Sequence, residues 1–113
     1  MAREFVLIWN EEEAPFLWLQ SIDVPNLAFV VIDPFLVSEG YLPDVPEEDV
    51  ALLEIEKEED AFVLSIVNIK NNKELEITAN LLSPIVINWK KQVGKQVILS
   101  NHHLYSLAEP VSL

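Results

Sequence analysis

The chain has 113 residues, half of them hydrophobic, and a formal net charge of −12. That length suits a single domain with a real core, and the lack of cysteine excludes a disulfide framework and thiolate metal sites. No apolar run approaches the roughly 18 residues a membrane span needs, and the negative charge disfavours nucleic acid and anionic lipid as partners.

Phe5-Val6-Leu7-Ile8-Trp9 is an apolar run of strand length, broken by Glu11-Glu12-Glu13. Pro15 to Leu19 reads as a second strand with the proline at its start, where a missing N–H does least harm. Asp23-Val24-Pro25-Asn26 carries turn chemistry. Leu27 to Ile32 then reads as a strand apolar on both faces, stopped by Asp33-Pro34.

Glu39 to Pro46 reads as a loop. A short helix is expected to open at Pro46-Glu47-Glu48-Asp49, with Asp44 as its cap and acids complementing the N-terminal dipole. Val50, Leu53 and Leu52 are its core-facing candidates, and Glu54 to Asp60 is expected to be solvated. Ala61 to Ile69 is the clearest strand, and Glu74 to Thr78 alternates with period two. Ser83 to Trp89 follows as a strand. Lys90 to Lys95 is expected to turn at Gly94, with Gln96 to Leu99 pairing back as a hairpin. The tail from Asn101 reads as irregular. The pattern predicts an all-β or β-rich fold: a small antiparallel barrel-like domain with one short helix.

Charge is unevenly spread. Residues 1–60 hold 16 acids against 2 bases, net −14, and residues 61–113 hold 3 acids against 5 lysines, net +2, which together give the −12. Such a chain should attract a basic protein surface.

Motifs that carry chemistry are scarce. His102 and His103 are adjacent, and neighbours on a strand point to opposite faces, which makes them a poor metal pair. The acidic run lacks the calcium-loop pattern and its glycine. Ser21 and Asp23 have no partnered base. Gly40 and Gly94 cannot form a phosphate loop. Lys90, Lys91 and Lys95 beside Trp89 read as an ordinary hairpin tip rather than a base-stacking platform. Asn80 and Asn88 are expected to hold turns through their amides. No catalytic residue, metal site or cofactor is expected.

Two segments carry a resemblance. Leu19-Gln20-Ser21-Ile22-Asp23 through Asp33-Pro34 is one. Ala79-Asn80-Leu81-Leu82-Ser83-Pro84-Ile85-Val86-Ile87-Asn88, followed by Gly94-Lys95-Gln96-Val97-Ile98-Leu99, is the other. In order and spacing they resemble the FliW family of flagellar assembly factors, over about Arg3 to Tyr105. The resemblance implies a cytoplasmic protein-binding module over residues 1–113. Its partners would be the RNA-binding translational repressor CsrA, which it antagonises to relieve repression of flagellin mRNA, and flagellin itself. A flagellin-binding chaperone without repressor antagonism is the alternative. The docking strip toward the repressor is expected at Glu47, Glu48, Glu54, Glu56, Glu58, Glu59 and Asp60.

Family members usually begin with a longer stretch of the Gly-Ile-Pro-Gly-Phe type and at least one further strand. The resemblance therefore implies a domain lacking about one N-terminal strand region. It also implies an open sheet edge near Trp9 and Trp18, covered by self-association or strand rearrangement.

Overall fold

In the computed structural model, which describes residues 4–112, eight strands form a single antiparallel sheet with one short helix. The strands are β1 (Phe5–Trp9), β2 (Leu17–Ser21), β3 (Ala28–Ile32), β4 (Ala61–Asn71), β5 (Leu75–Ala79), β6 (Ile85–Asn88), β7 (Val93–Gln96) and β8 (Glu109–Pro110); the helix is α1 (Glu47–Leu52). The main path runs β1-β2-β3-β4-β5-β8, with β6 also on β4 and β7 on β6. The sheet does not close on itself, so the barrel-like expectation holds only as curvature.

β4 organises the sheet. Its first half, Ala61–Leu64, pairs with β6, its second half, Val67–Asn71, pairs with β5, and between them Ser65 and Ile66 pair with β3. An eleven-residue strand rich in Val and Ile can serve several neighbours. Because directly opposed residues share a face, the registers sort the core into two layers. Val31, Leu64 and Ile85 pack on one face, with Leu17, Leu19 and Phe29. Ile32, Val67 and Ala79 pack on the other. That second face also carries Val86, which packs with Tyr41, Leu53, Leu81, Val97 and Leu99. Val31 and Ile32 are both fully buried on opposite faces, the reason this strand is apolar throughout.

Several expected elements differ in detail. The hairpin turns at Trp89–Gln92, with Gln92 at φ 56°, and Val93 already faces Asn88. Gly94 lies within β7 at ordinary φ. A side chain there would meet the Ile87 Cγ1 at 3.0 Å and the Val86 carbonyl at 3.3 Å, so glycine serves close strand approach rather than the turn. Val97 and Leu99 lie beyond β7 and sink into the core. The tail is more ordered than expected: His102–Leu104 forms a 3₁₀ turn, and Pro110 sits in edge strand β8, where no ladder N–H is needed.

Pro46, not Asp44, is the α1 N-cap, and no side chain caps the helix. Leu53 is buried, but Leu52 is solvent-exposed at 66 % and does not face the core. The 3₁₀ turn Glu11–Glu13 follows β1, as the break in the apolar run predicts.

Candidate protein-binding surface

The motif residues of the first segment build a turn. Gln20 Nε2 donates to the carbonyls of Ser21, Pro25 and Leu27. Ser21 is buried; its Oγ donates to Asp23 Oδ1 at 3.0 Å and accepts from the Val24 N–H at 2.8 Å. This network, with the Leu27 N–H donating to the Val24 carbonyl, fixes the β2–β3 connection. In the second segment, Asn80 Oδ1 accepts from the Ser83 N–H, and the Ser83 hydroxyl donates to the Val97 carbonyl at 2.6 Å.

Asn88 ties the hairpin to the helix. Its amide donates to the carbonyls of Leu53 at 2.9 Å and Glu54 at 3.1 Å, and its Oδ1 accepts from the N–H groups of Lys90 and Lys91. Glu54 adopts φ 54°, a left-handed conformation that a non-glycine residue takes only when held. The helix end supplies that hold: the Ile55 N–H donates to the Val50 carbonyl and the Glu54 N–H to the Ala51 carbonyl, with Glu54 just past the C-cap, and Asn88 braces this exit through the Leu53 and Glu54 carbonyls.

The seven strip residues do not form one uniform surface. Glu47, Glu48, Glu54, Glu56, Glu58 and Glu59 are exposed. Asp60 is buried and meets Lys90 Nζ at 2.9 Å, so it is removed from the docking set as a structural ion-pair partner. The hydrogen bond that Lys90 donates to Asp60, then the Asp60 charge, hold the Lys90 ammonium above its usual range, with Glu59 and Glu56 adding to the effect. Asp49 is likewise buried and pairs with Lys95. Two of the five lysines of residues 61–113 are thus spent on buried carboxylates, and among the described residues no ion pair involves an exposed glutamate. Trp89 is half-exposed; its Nε1 donates to the Glu59 carbonyl at 2.8 Å, and Lys90 stands 5.8 Å from its ring. That geometry makes it a brace for the acidic segment.

An open groove of about 810 Å³ runs between the β4 N-terminal half, the Leu42–Val45 loop and the segment after α1. Phe35 and Phe62 contribute exposed apolar surface, and Leu42 is 76 % exposed. Glu56 and Glu58 from the expected strip lie on its rim, joined by Asp33 and Asp44, with Lys57 the one cation in the lining. Sequence reasoning placed Asp33 and Asp44 in structural roles, a strand stop and a helix cap. Only the packing of the Leu42–Val45 loop against Asn101 and Tyr105 brings Asp44 here: Asn101 Oδ1 accepts from the Asp44 N–H, and Tyr105 Oη accepts from the Leu42 N–H.

A second exposed apolar feature is β1. All five of its residues are solvent-exposed, Trp9 at 63 %, and among the described residues β1 pairs on one side only, with β2. Trp18 is also partly exposed, with its Nε1 donating to Glu13 Oε1 at 3.3 Å. Among the described residues no helix is long and apolar enough to cross a membrane.

Comparison with known proteins places this arrangement. A family model described as FliW protein matches residues 1–111. The chain is 42 % identical over 100 residues to the flagellar assembly factor FliW of Syntrophus aciditrophicus, covering 88 % of this chain and 63 % of that one. It is 37 % identical over 109 residues to the Bacillus subtilis flagellar assembly factor FliW, covering 96 % of this chain and 75 % of the relative. The crystal structure of a flagellar assembly factor FliW superposes with a TM-score of 0.81 at 37 % identity, over 96 % of this chain and 73 % of the other. The chain thus spans somewhat under two thirds to about three quarters of the length of these relatives. Sequence and fold agree over nearly all of this chain: it belongs to the FliW family.

Proposed function

We propose that this chain is a flagellar assembly factor acting in the cytoplasm by binding proteins rather than by catalysis. Its partners in this reading are the translational repressor CsrA and flagellin. The acidic side of the molecule docks on the basic repressor, and its field repels incoming RNA; flagellin binding withdraws it from the repressor. The observation that carries this reading is the distribution of charge. Glu47, Glu48, Glu56 and Glu58 are exposed and, among the described residues, in no ion pair, whereas the buried Asp49 and Asp60 take Lys95 and Lys90. Exposed carboxylates on one side of a molecule steer association and make it salt-sensitive.

Calorimetric titration with CsrA at low and high salt tests it. Affinity should fall as salt rises, and reversing Glu47, Glu48, Glu56 and Glu58 to lysine should weaken binding and lessen RNA exclusion. Unchanged affinity and exclusion in that variant would remove the acidic strip from the mechanism. The alternative, a flagellin chaperone without repressor antagonism, draws on the exposed apolar surface of β1. Flagellin affinity that persists in high salt, with no competition by the repressor, would favour it.

Self-association at the exposed β1 edge belongs to the same proposal. Sedimentation across a concentration series, with Leu7→Lys as the edge-breaking variant, tests it.

A further inference from the structure

The edge of β4 that faces the groove lacks a strand. Backbone groups of alternate residues in an antiparallel strand point to opposite edges. The Asp60 carbonyl accepts from the Trp89 N–H at the head of the β6 ladder, and the Ile66 carbonyl accepts from the Asn80 N–H beside β5. Even-numbered residues of β4 therefore serve the β5 and β6 edge, and Ala61, Val63 and Ser65 point their backbone groups to the other. On that other edge β3 pairs only with Ser65 and Ile66. The next residues of β3 in register would be Asp33 and Pro34, but they begin a 3₁₀ turn instead. Pro34, which would face Val63, has no N–H to donate. The Ala61 N–H is taken by the Glu58 carbonyl, which leaves the Ala61 carbonyl and both backbone groups of Val63 directed at an edge with no strand beside it.

Side chains around this edge have a definite chemistry. Phe35, Leu42 and Phe62 supply apolar surface, and four carboxylates face one ammonium on the rim. Neither ion pair among the described residues involves those four carboxylates. An unpaired strand edge accepts an extended peptide through backbone bonds, while side-chain pockets choose the sequence. A helix would leave the Val63 backbone groups unmet, and an acidic segment would be repelled by the rim.

We propose that this groove is a strand-addition site. Its occupant is an extended segment of a partner protein, about four residues long where it pairs with Ala61–Leu64, in which apolar residues alternate with lysine or arginine. At about 3.3 Å per residue this pairing spans roughly 13 Å. The proposal rests on the acidic-docking reading only for the sign of the partner's charge; it does not depend on which protein supplies the segment.

The test uses the whole chain and a fluorescein-labelled eight-residue peptide alternating lysine with valine or leucine, against the same peptide with glutamate for lysine. The lysine peptide should bind, the glutamate peptide at least about tenfold more weakly, and the Val63 amide should gain protection from hydrogen exchange on binding. Leu42→Ser, a neutral change at a position already in solvent, should weaken binding about tenfold with the folded spectrum intact. Reversing Asp44, Glu56 and Glu58 to lysine should weaken binding and flatten its salt dependence. Equal binding of both peptides, no binding of either, or binding that leaves Val63 unprotected and is indifferent to Leu42→Ser would each overturn the proposal. Peptide binding at Val63 together with failure to bind CsrA would sink the repressor reading and leave the groove standing. CsrA binding that survives Leu42→Ser, with no peptide binding, would do the reverse.

Discussion

Asn88→Ala is the most informative single change. Asn88 is 1 % exposed and makes four hydrogen bonds, two as donor to the Leu53 and Glu54 carbonyls and two as acceptor from the Lys90 and Lys91 amides. The lysine amides lie in an exposed turn, where water can replace the lost acceptor. The Leu53 carbonyl belongs to a buried residue and cannot be rehydrated without opening the core. Two lost donor bonds at about 1 kcal/mol each, plus about 1 kcal/mol for the stranded carbonyl, give about 3 kcal/mol. For 113 residues the unfolding entropy is about 0.24 kcal/mol/K, so the melting temperature should fall by about 12 °C.

The same change removes the brace on the Leu53 and Glu54 carbonyls where the acidic segment leaves α1, so amide exchange in residues 54–60 should quicken more than in β2 or β3. Urea unfolding with an unchanged m-value measures the first effect, and native-state hydrogen exchange the second. Asn88→Asp keeps the acceptor but sets a carboxylate against two carbonyls, and should be at least as destabilising. A loss for Asn88→Ala under about 1 kcal/mol, with residues 54–60 exchanging as in the parent, would refute the claim that Asn88 positions the acidic segment.

Two further outcomes follow from the core. Burial first, and the neighbouring Tyr105 second, push the Tyr41 phenol above its ordinary value of 10.0. The unfolded chain then loses this proton before the folded one, so the associated stability is present below about pH 10 and is lost as pH rises beyond it. Tyr41→Phe should lessen that alkaline decline while costing about 1 kcal/mol at neutral pH through the lost bond to the Leu81 carbonyl; urea unfolding from pH 7 to 11 reads both. Gly94→Ala should destabilise by about 1 kcal/mol, because the new methyl presses the Ile87 side chain and the Val86 carbonyl; thermal unfolding checks it.

The strands were legible where local pattern and burial agree. Leu27 to Ile32 is apolar at every position because β3 is covered on both faces, and Asp33-Pro34 stops it through backbone chemistry alone. Asn88 was legible as a turn holder because a buried amide must be satisfied. Gly94 misled, since glycine marks turns and close strand approaches alike, and only the distance to Ile87 separates the two. Asp60 misled as well. Within a run of acids nothing local distinguishes the carboxylate that a lysine thirty residues on will bury. The groove was not legible at all, because Asp33, Asp44 and Glu56 are far apart in sequence and meet only after β4 is flanked.

By itself, the sequence determined the class of fold and the excess of acid in the first half, because periodicity, turn chemistry and composition are local quantities, and its two motif segments carried the resemblance to the family. The tertiary structure decided which carboxylates remain in solvent and which edge of β4 is left open. Both depend on lysines and strands contributed by distant segments, and burial and ladder pairing are properties of the assembled sheet.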